Sequence, residues 1–336
     1  MRRRRMIMCA PPTGEFSMPS RRAALAISLA APGLALAQNG WPDRSIRIIV
    51  PFPPGGSNDT VARIIQPRLS ELLGRPIVVD NRAGGSGSVG SSEMARAAPD
   101  GHTWLLANDT LAANDTLMQL PYRAAELTVC SLLGTCPYAL TIHPSQPFTT
   151  LAQVIEAAKA RPDRFSYATT GVGSLAHIAT VLLQQRGGFT LTHVPYRGGG
   201  PALQDALAGH VPLFMSNIVI TMPHMRAGAL KPLGVSSAAE SRFLPGVVPF
   251  AAQGFPGFAA LTYWIMVGPA GVPAAITQRF QQAIAQVLAE APVQARMAEQ
   301  GADVVAGTAE NSLAFLRAEI VKWGQVIRDN DIRTDS

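Results

Sequence analysis

The sequence predicts an α/β protein built as two similar halves, each a sheet flanked by helices. Three observations predict it. Residues 45–109 alternate short β-branched runs with helix-period stretches, which gives βαβαβ and a parallel sheet. Residues 165–235 repeat that alternation. Two long extended segments, 127–143 and 261–271, bracket the repeat and read as two crossings between the halves. That is the wiring of a hinged clamshell.

The elements follow in order. Residues 45–52 (SIRIIVPF) alternate and form a strand. A helical period at Val61, Ile64, Ile65, Leu69 and Leu72 ends at Gly74, with Pro67 inside it expected to kink or shorten the helix. A strand at 76–80, a glycine-rich turn, a helix at 88–97 and a strand at 103–109 complete the first unit. The second unit reads as a helix at 151–160, a strand at 165–170 and a helix through Leu183. A strand at 191–196, a helix at 201–207 and a strand at 211–216 continue it. A short helix at 223–228 leads into the strand KPLGVSS. Two amphipathic helices, marked by Ile276, Phe280, Ile284 and by Leu316, Ile320, Trp323, close the chain. The expected division is a first lobe of 41–140 plus 262–336 and a second lobe of 141–261.

Length, charge and cysteine usage bound the function. The chain has 336 residues, 47% hydrophobic and 15% charged, a packed composition and not a disordered one. Residues 1–37 read as a signal peptide. Arg21 and Arg22 precede an apolar run that ends in Ala35-Leu36-Ala37, with cleavage expected near Ala37 and a periplasmic destination. Six of the 28 basic residues and one of the 22 acidic ones lie in that leader, which leaves a mature net charge of +1. No nucleic-acid partner is expected from that charge. Cys9 leaves with the leader. Cys130 and Cys136 sit on one extended segment that holds them apart, so two separate buried thiols are expected and not a bridge. No metal-ligand spacing and no GxSxG elbow occur.

The strongest local feature is PFPPGGSND at 51–59. It follows a strand and opens a helix. Gly55 and Gly56 let the backbone approach a ligand, and the first amides of the helix favour an anion. Such a loop lies at the carboxyl end of its strand, where open α/β sheets bind ligands. The second half offers Thr169-Thr170-Gly171-Val172-Gly173-Ser174, again between a strand and a helix, with His177 one turn in. His177 is either a ligand contact or a histidine stacked on the loop. Tyr196 ends a strand where it would wall a cleft. Two facing turns of this kind make a clamp for a carboxylate, held by neutral donors. A competing motif is Gly85-Ser86-Gly87-Ser88-Val89-Gly90, which matches GxGxxG, with Asp109 about 20 residues on as a ribose-binding acid. It would make the chain an exported oxidoreductase. Residues 81–85 make its turn looser than that fingerprint needs.

These segments resemble a known family. WPDRSIRIIVPFPPGGSNDTVAR, PIVVDNRAGGSGSVGSSEMARAAPDGHTWLLAND, YATTGVGSLAHIA and HVPYRGGGPALQDALAGHV are similar, in the same order, to the substrate-binding receptors of tripartite tricarboxylate transporters, the Bug receptors. The resemblance implies a two-lobed type II periplasmic binding fold, a Venus flytrap with no catalytic residue, no cofactor and no metal. It implies a monomer that captures a small carboxylate and passes it to the membrane subunits of such a transporter, or to a sensor. Matched by motif, the first lobe contributes Phe52, Gly55, Gly56 and Ser57, and the second contributes Thr169, Thr170, Gly173, Ser174 and His177. Asn108, Thr110 and Tyr196 are further ligand-binding candidates. Val181 stands where the family often has a glutamate, and Pro212 and Ser216 where it often has aspartates, which leaves the identity of the carboxylate open.

Overall fold

The computed structural model describes residues 40–334, so the leader, its cleavage point and Cys9 lie outside the described residues. The described residues from 42 onward form one compact unit. Strand β1 (Ile46–Val50) lies between β2 (Ile77–Asn81) and β3 (Thr103–Ala107), parallel to both. Ile46, Ile48, Ile49 and Val50 are all fully buried, as a strand covered on both faces requires. Helices α1 (Ser57–Leu73), α2 (Ser88–Ala95) and α3 (Thr110–Leu117) come after these three strands in turn. Pro67 does not shorten α1. Its position is exposed, so water reaches the carbonyl that its missing N–H would have bonded. Gly74 ends the helix in the left-handed conformation and donates to Glu71 O.

The long strand β4 (Thr128–Ile142) leaves this half for the other. From Thr128 to Pro137 it pairs antiparallel with β9 (Leu261–Gly268), which in turn pairs with β3. From Tyr138 to Ile142 it pairs with β7 (Leu213–Asn217), and over Ala139 to Ile142 with β8 (Lys231–Val235). Beyond β7 lie β5 (Ser166–Thr169) and the edge strand β6 (Thr192–Pro195), parallel to each other. Helices α4 (Leu151–Ala160), α5 (Leu175–Gly187), α6 (Gly199–Ala208) and α7 (Ile218–Arg226) dress this second group of strands. The apolar runs 127–143 and 261–271 are thus the two crossing strands, and one continuous sheet carries both halves.

Each half has its own core. Ile49, Leu105, Val129, Ile265 and Leu316 pack in the first, and Ile142, Phe165, Tyr167, Leu175, Leu183 and Leu213 in the second. Helices α8 (Ala274–Ala289) and α9 (Ala291–Glu299), the short strand β10 (Asp303–Val304) and α10 (Ala309–Asp329) finish the chain. Leu316 near the start of α10 joins the first core. Trp323, Val326, Ile327 and Ile332 beyond the helix end join the second. The end of the chain, expected with the first lobe, therefore packs on the second. A helix of this length, roughly 30 Å, is long enough to serve both halves. Cys130 and Cys136 are buried and unbridged on β4. Six residues along a strand separate them by about 20 Å, beyond any disulfide.

Candidate functional site

The turn after β1 is held by its own side chains. Gly55 has φ +81°, and its amide donates to Asp59 Oδ2 at 2.9 Å. Arg63 Nε donates to the same carboxylate at 3.0 Å. Burial alone would raise Asp59, but the Arg63 and Gly55 hydrogen bonds outweigh it and hold the carboxyl below its ordinary value. Asn58 does not cap α1. Its Nδ2 donates to Leu106 O at 2.9 Å and pins the turn to β3. The N-cap is Gly56, in extended conformation, and the first helical bond runs from Thr60 N to Gly56 O at 2.9 Å. The amides of Ser57, Asn58 and Asp59 precede that bond, so they form the free end of the helix dipole.

The neighbouring loop after β3 meets this turn. A Cβ at Gly87 would lie 3.3 Å from Phe52 Cζ and 3.4 Å from Thr110 Oγ1. Asn108 Oδ1 accepts from Thr110 N at 3.2 Å and from Thr110 Oγ1 at 2.7 Å. Phe52, Gly55, Gly56, Ser57, Asn108 and Thr110 thus gather on two adjacent loops at the carboxyl ends of β1 and β3. The GxGxxG segment does not form a dinucleotide turn. Ser86 has φ +52°, its carbonyl accepts from Asn114 Nδ2 at 3.0 Å, and Gly90 packs on Pro51. Asp109 is 2% exposed and turned toward Tyr138 and Thr262, out of reach of a ribose. The oxidoreductase expectation fails on this geometry.

The second turn, after β5, is equally self-supported. Gly171 N donates to Thr169 Oγ1 at 3.2 Å, and Ser174 Oγ donates to Gly171 O at 2.7 Å. Ser174 caps α5, accepting from His177 N at 3.3 Å. Gly173 N donates to His177 Nδ1 at 3.2 Å, so the neutral His177 ring carries its proton on Nε2. Thr170 lies beside Gly199 at the start of α6, where a Cβ would meet it at 3.8 Å. The Gly55, Gly171 and Gly173 amides are thus taken by side chains of their own turns and are not free donors.

His177 stacks on His193 at 4.0 Å with the rings 6° apart, and His193 stacks on Tyr167 at 4.9 Å. His193 Nε2 and Thr169 Oγ1 share a hydrogen bond of 2.7 Å. Burial pushes both imidazoles down to about 4, His193 with a smaller contribution from His177. Both are neutral at pH 7. Sequence reasoning missed His193, because the short strand THVP, half-buried at His193 and Val194, has no alternation that marks one face. Tyr196 does not wall a cleft with its hydroxyl, which donates to Asp205 Oδ2 at 2.6 Å. Only its backbone approaches Gly171. Beside the ring column opens a recess of about 530 Å³ lined by Tyr167, His177, Val181, Gln184, His193 and Asn330.

The halves touch at the second turn. A Cβ at Gly173 would come within 2.8 Å of Leu117 Cδ1, at the end of α3, and 3.0 Å of Thr334 Cγ2. Neither Leu117 nor Thr334 carries a sequence signal for this role. Among the described residues no cluster of three or more metal-ligating side chains occurs, and no helix is long and apolar enough to cross a membrane.

This fold, a sheet whose two halves are bridged by β4, has counterparts among known proteins. Residues 61–332 match the family described as tripartite tricarboxylate transporter family receptor. Protein BugT of Bordetella pertussis is 36% identical over 320 residues, which is 94% of this chain and 98% of that protein. The R. palustris protein Rpa4515, solved with adipate, superimposes with a TM-score of 0.80 at 31% identity, covering 87% of this chain and 99% of that one. MatC of Rhodopseudomonas palustris, solved with bound malate, does so with a TM-score of 0.77 at 29% identity, covering 85% and 100%. The chain belongs to the tripartite tricarboxylate transporter family of receptors, which are solute-binding proteins and not enzymes.

Proposed function

We infer that this receptor captures a small carboxylate between the turn at 51–57 and the turn at 169–174. The observation that carries this is the pairing of two strand-to-helix turns, one per half: α1 has no side-chain cap, and in α5 the Ser174 cap takes only the His177 amide of the first turn. The relatives solved with adipate and malate support the ligand class. The first lobe is then 42–140 together with β9, α8, α9 and the start of α10. The second is 141–260 together with the end of α10. In the same reading the leader is removed near Ala37 and the monomer works in the periplasm. The loaded receptor delivers its ligand to membrane subunits of a tripartite tricarboxylate transporter.

A thermal-shift screen over organic acids, with adipate and malate among them and NAD as a control, tests the ligand class. An acid at a hundredfold excess over its Kd stabilises the fold by about 2.7 kcal/mol. A Cβ at Gly56 would meet nothing nearer than Pro53 O at 3.5 Å, so Gly56→Trp is expected to fold and to lose that response. A screen in which no acid raises Tm, or a Gly56→Trp variant that keeps full affinity, sinks the reading.

A further inference from the structure

Asp109 opens α3 with helical backbone angles, φ −53° and ψ −26°, and its side chain makes no capping bond. Asn108 Oδ1 takes the Thr110 amide instead. The Asp109 carboxylate, 2% exposed, turns away from its own helix. Oδ2 accepts from Tyr138 OH at 3.3 Å, and Oδ1 accepts from Thr262 Oγ1. These two hydroxyls belong to the two crossing strands. Tyr138 stands where β4 changes partner: Pro137 still faces Leu261 of β9, and Tyr138 already faces Asn217 of β7. Ser236 fixes that point from the other half, because its Oγ accepts from Tyr138 N at 2.8 Å and its amide donates to Tyr138 O at 2.9 Å. Thr262 faces Cys136 one step before the change.

We propose that Asp109 is a positioning residue that sets the angle between the halves from the loop carrying Asn108 and Thr110, by holding both crossing strands at once. The role of that loop in ligand capture rests on the function proposed above; the hold on the strands does not. The groups facing Asp109 are Tyr138 and Cys136 of β4, Tyr263 of β9 and Glu319 of α10. Glu319 is itself engaged by Trp323 Nε1 at 2.6 Å and Lys322 Nζ at 3.3 Å. Burial raises Asp109 to about 6, with Glu319 adding a little and the Thr262 and Tyr138 bonds opposing. Ionised, the carboxylate accepts from both strands. Protonated, it keeps one good acceptor oxygen, and the grip on one strand weakens.

The test reads the angle without ligand. Spin labels at Val78→Cys on β2 and Lys159→Cys on α4, both exposed positions, report the distance between the halves, while buried Cys130 and Cys136 stay unlabelled. The wild-type distance distribution is expected to shift between pH 7.5 and pH 5. Asp109→Asn is expected to give the pH 5 distribution at both values. Thr262→Val and Tyr138→Phe each remove one bond, keep the carboxyl, and are expected to shift the distribution at pH 7.5; they carry the test if Asp109→Asn fails to fold. Superimposable distributions for wild type at both pH values and for folded variants overturn the proposal. Adipate and malate titrations on the same samples are scored separately. A pH-responsive distance in a protein that binds neither acid upholds the hinge role and counts against the carboxylate reading instead.

Discussion

Gly173 has a backbone φ of +73°, and the space where its Cβ would sit is already held by Leu117 and Thr334. Alanine there suffers both an unfavourable backbone and two close contacts. We expect Gly173→Ala to cost about 1–2 kcal/mol, read as a lower urea midpoint at unchanged slope. Gly56 differs on both counts. Its φ of −75° suits any residue and its surroundings are open, so Gly56→Ser, a better N-cap, is expected to stay within about 0.5 kcal/mol of wild type. The sequence marked both glycines equally, because a glycine in a strand-to-helix turn looks the same whether it answers to conformation, to packing or to a ligand. PFPPGGSND was legible as a turn since its proline and glycine signals are local. The bonds that consume the Gly55 and Gly173 amides were not, since Asp59 and His177 act through side-chain directions that no spacing rule supplies.

At the level of elements, the legible features were those the chain decides locally. Helix α4 matched its expected bounds, and its Thr150 and Gln153 form a capping box. Helix α3 went unread because TLAANDTL has little apolar period and an aspartate that does not cap. Helix α9 and strand β10 went unread because nine- and two-residue elements give periodicity too little to work on. The apolar stripe of α10 was visible, but not that its two ends serve different cores. That division predicts a truncation phenotype. Removing residues 331–336 deletes the buried Ile332 and the contact of Thr334 with the second turn. The lost burial is about 2 kcal/mol, so Tm measured by calorimetry is expected to fall by about 2–4 °C. Binding of any acid found in the screen is expected to weaken with it, since the turn loses a support. An unchanged Tm would mean that the end of the chain does not pack on the second half in solution.

For the whole molecule, the two crossings were legible because β4 and β9 lie in long extended stretches that carry no charged residue. The strand order was not, because placing β9 between β3 and β4 is a pairing across more than 120 residues that no local signal encodes. The same arrangement places opposing titrations in one fold. His177 and His193 have folded values of about 4, below the 6.5 of a free imidazole. Their contribution to stability is present above pH 6.5 and is lost as pH falls through 4. Asp109 has a folded value of about 6, above the 3.8 of a free carboxyl. Its contribution is fully present below pH 3.8 and is lost as pH rises through 6. Between pH 6 and 4 the two therefore act against each other, and wild-type stability is expected to be flatter there than either group alone would make it. Asp109, fully buried, contributes on the order of 3 kcal/mol, and the two histidines, discounted for their partial exposure, an effect of the same order. Urea midpoints taken from pH 7.5 to 4 are expected to fall more steeply in Asp109→Asn, which keeps the histidines, than in wild type. In His193→Gln they are expected to fall less steeply. Parallel curves for the three proteins would show that these buried groups do not titrate in this range, and would remove both the ring column and the hinge carboxylate from any account of how this receptor responds to acid.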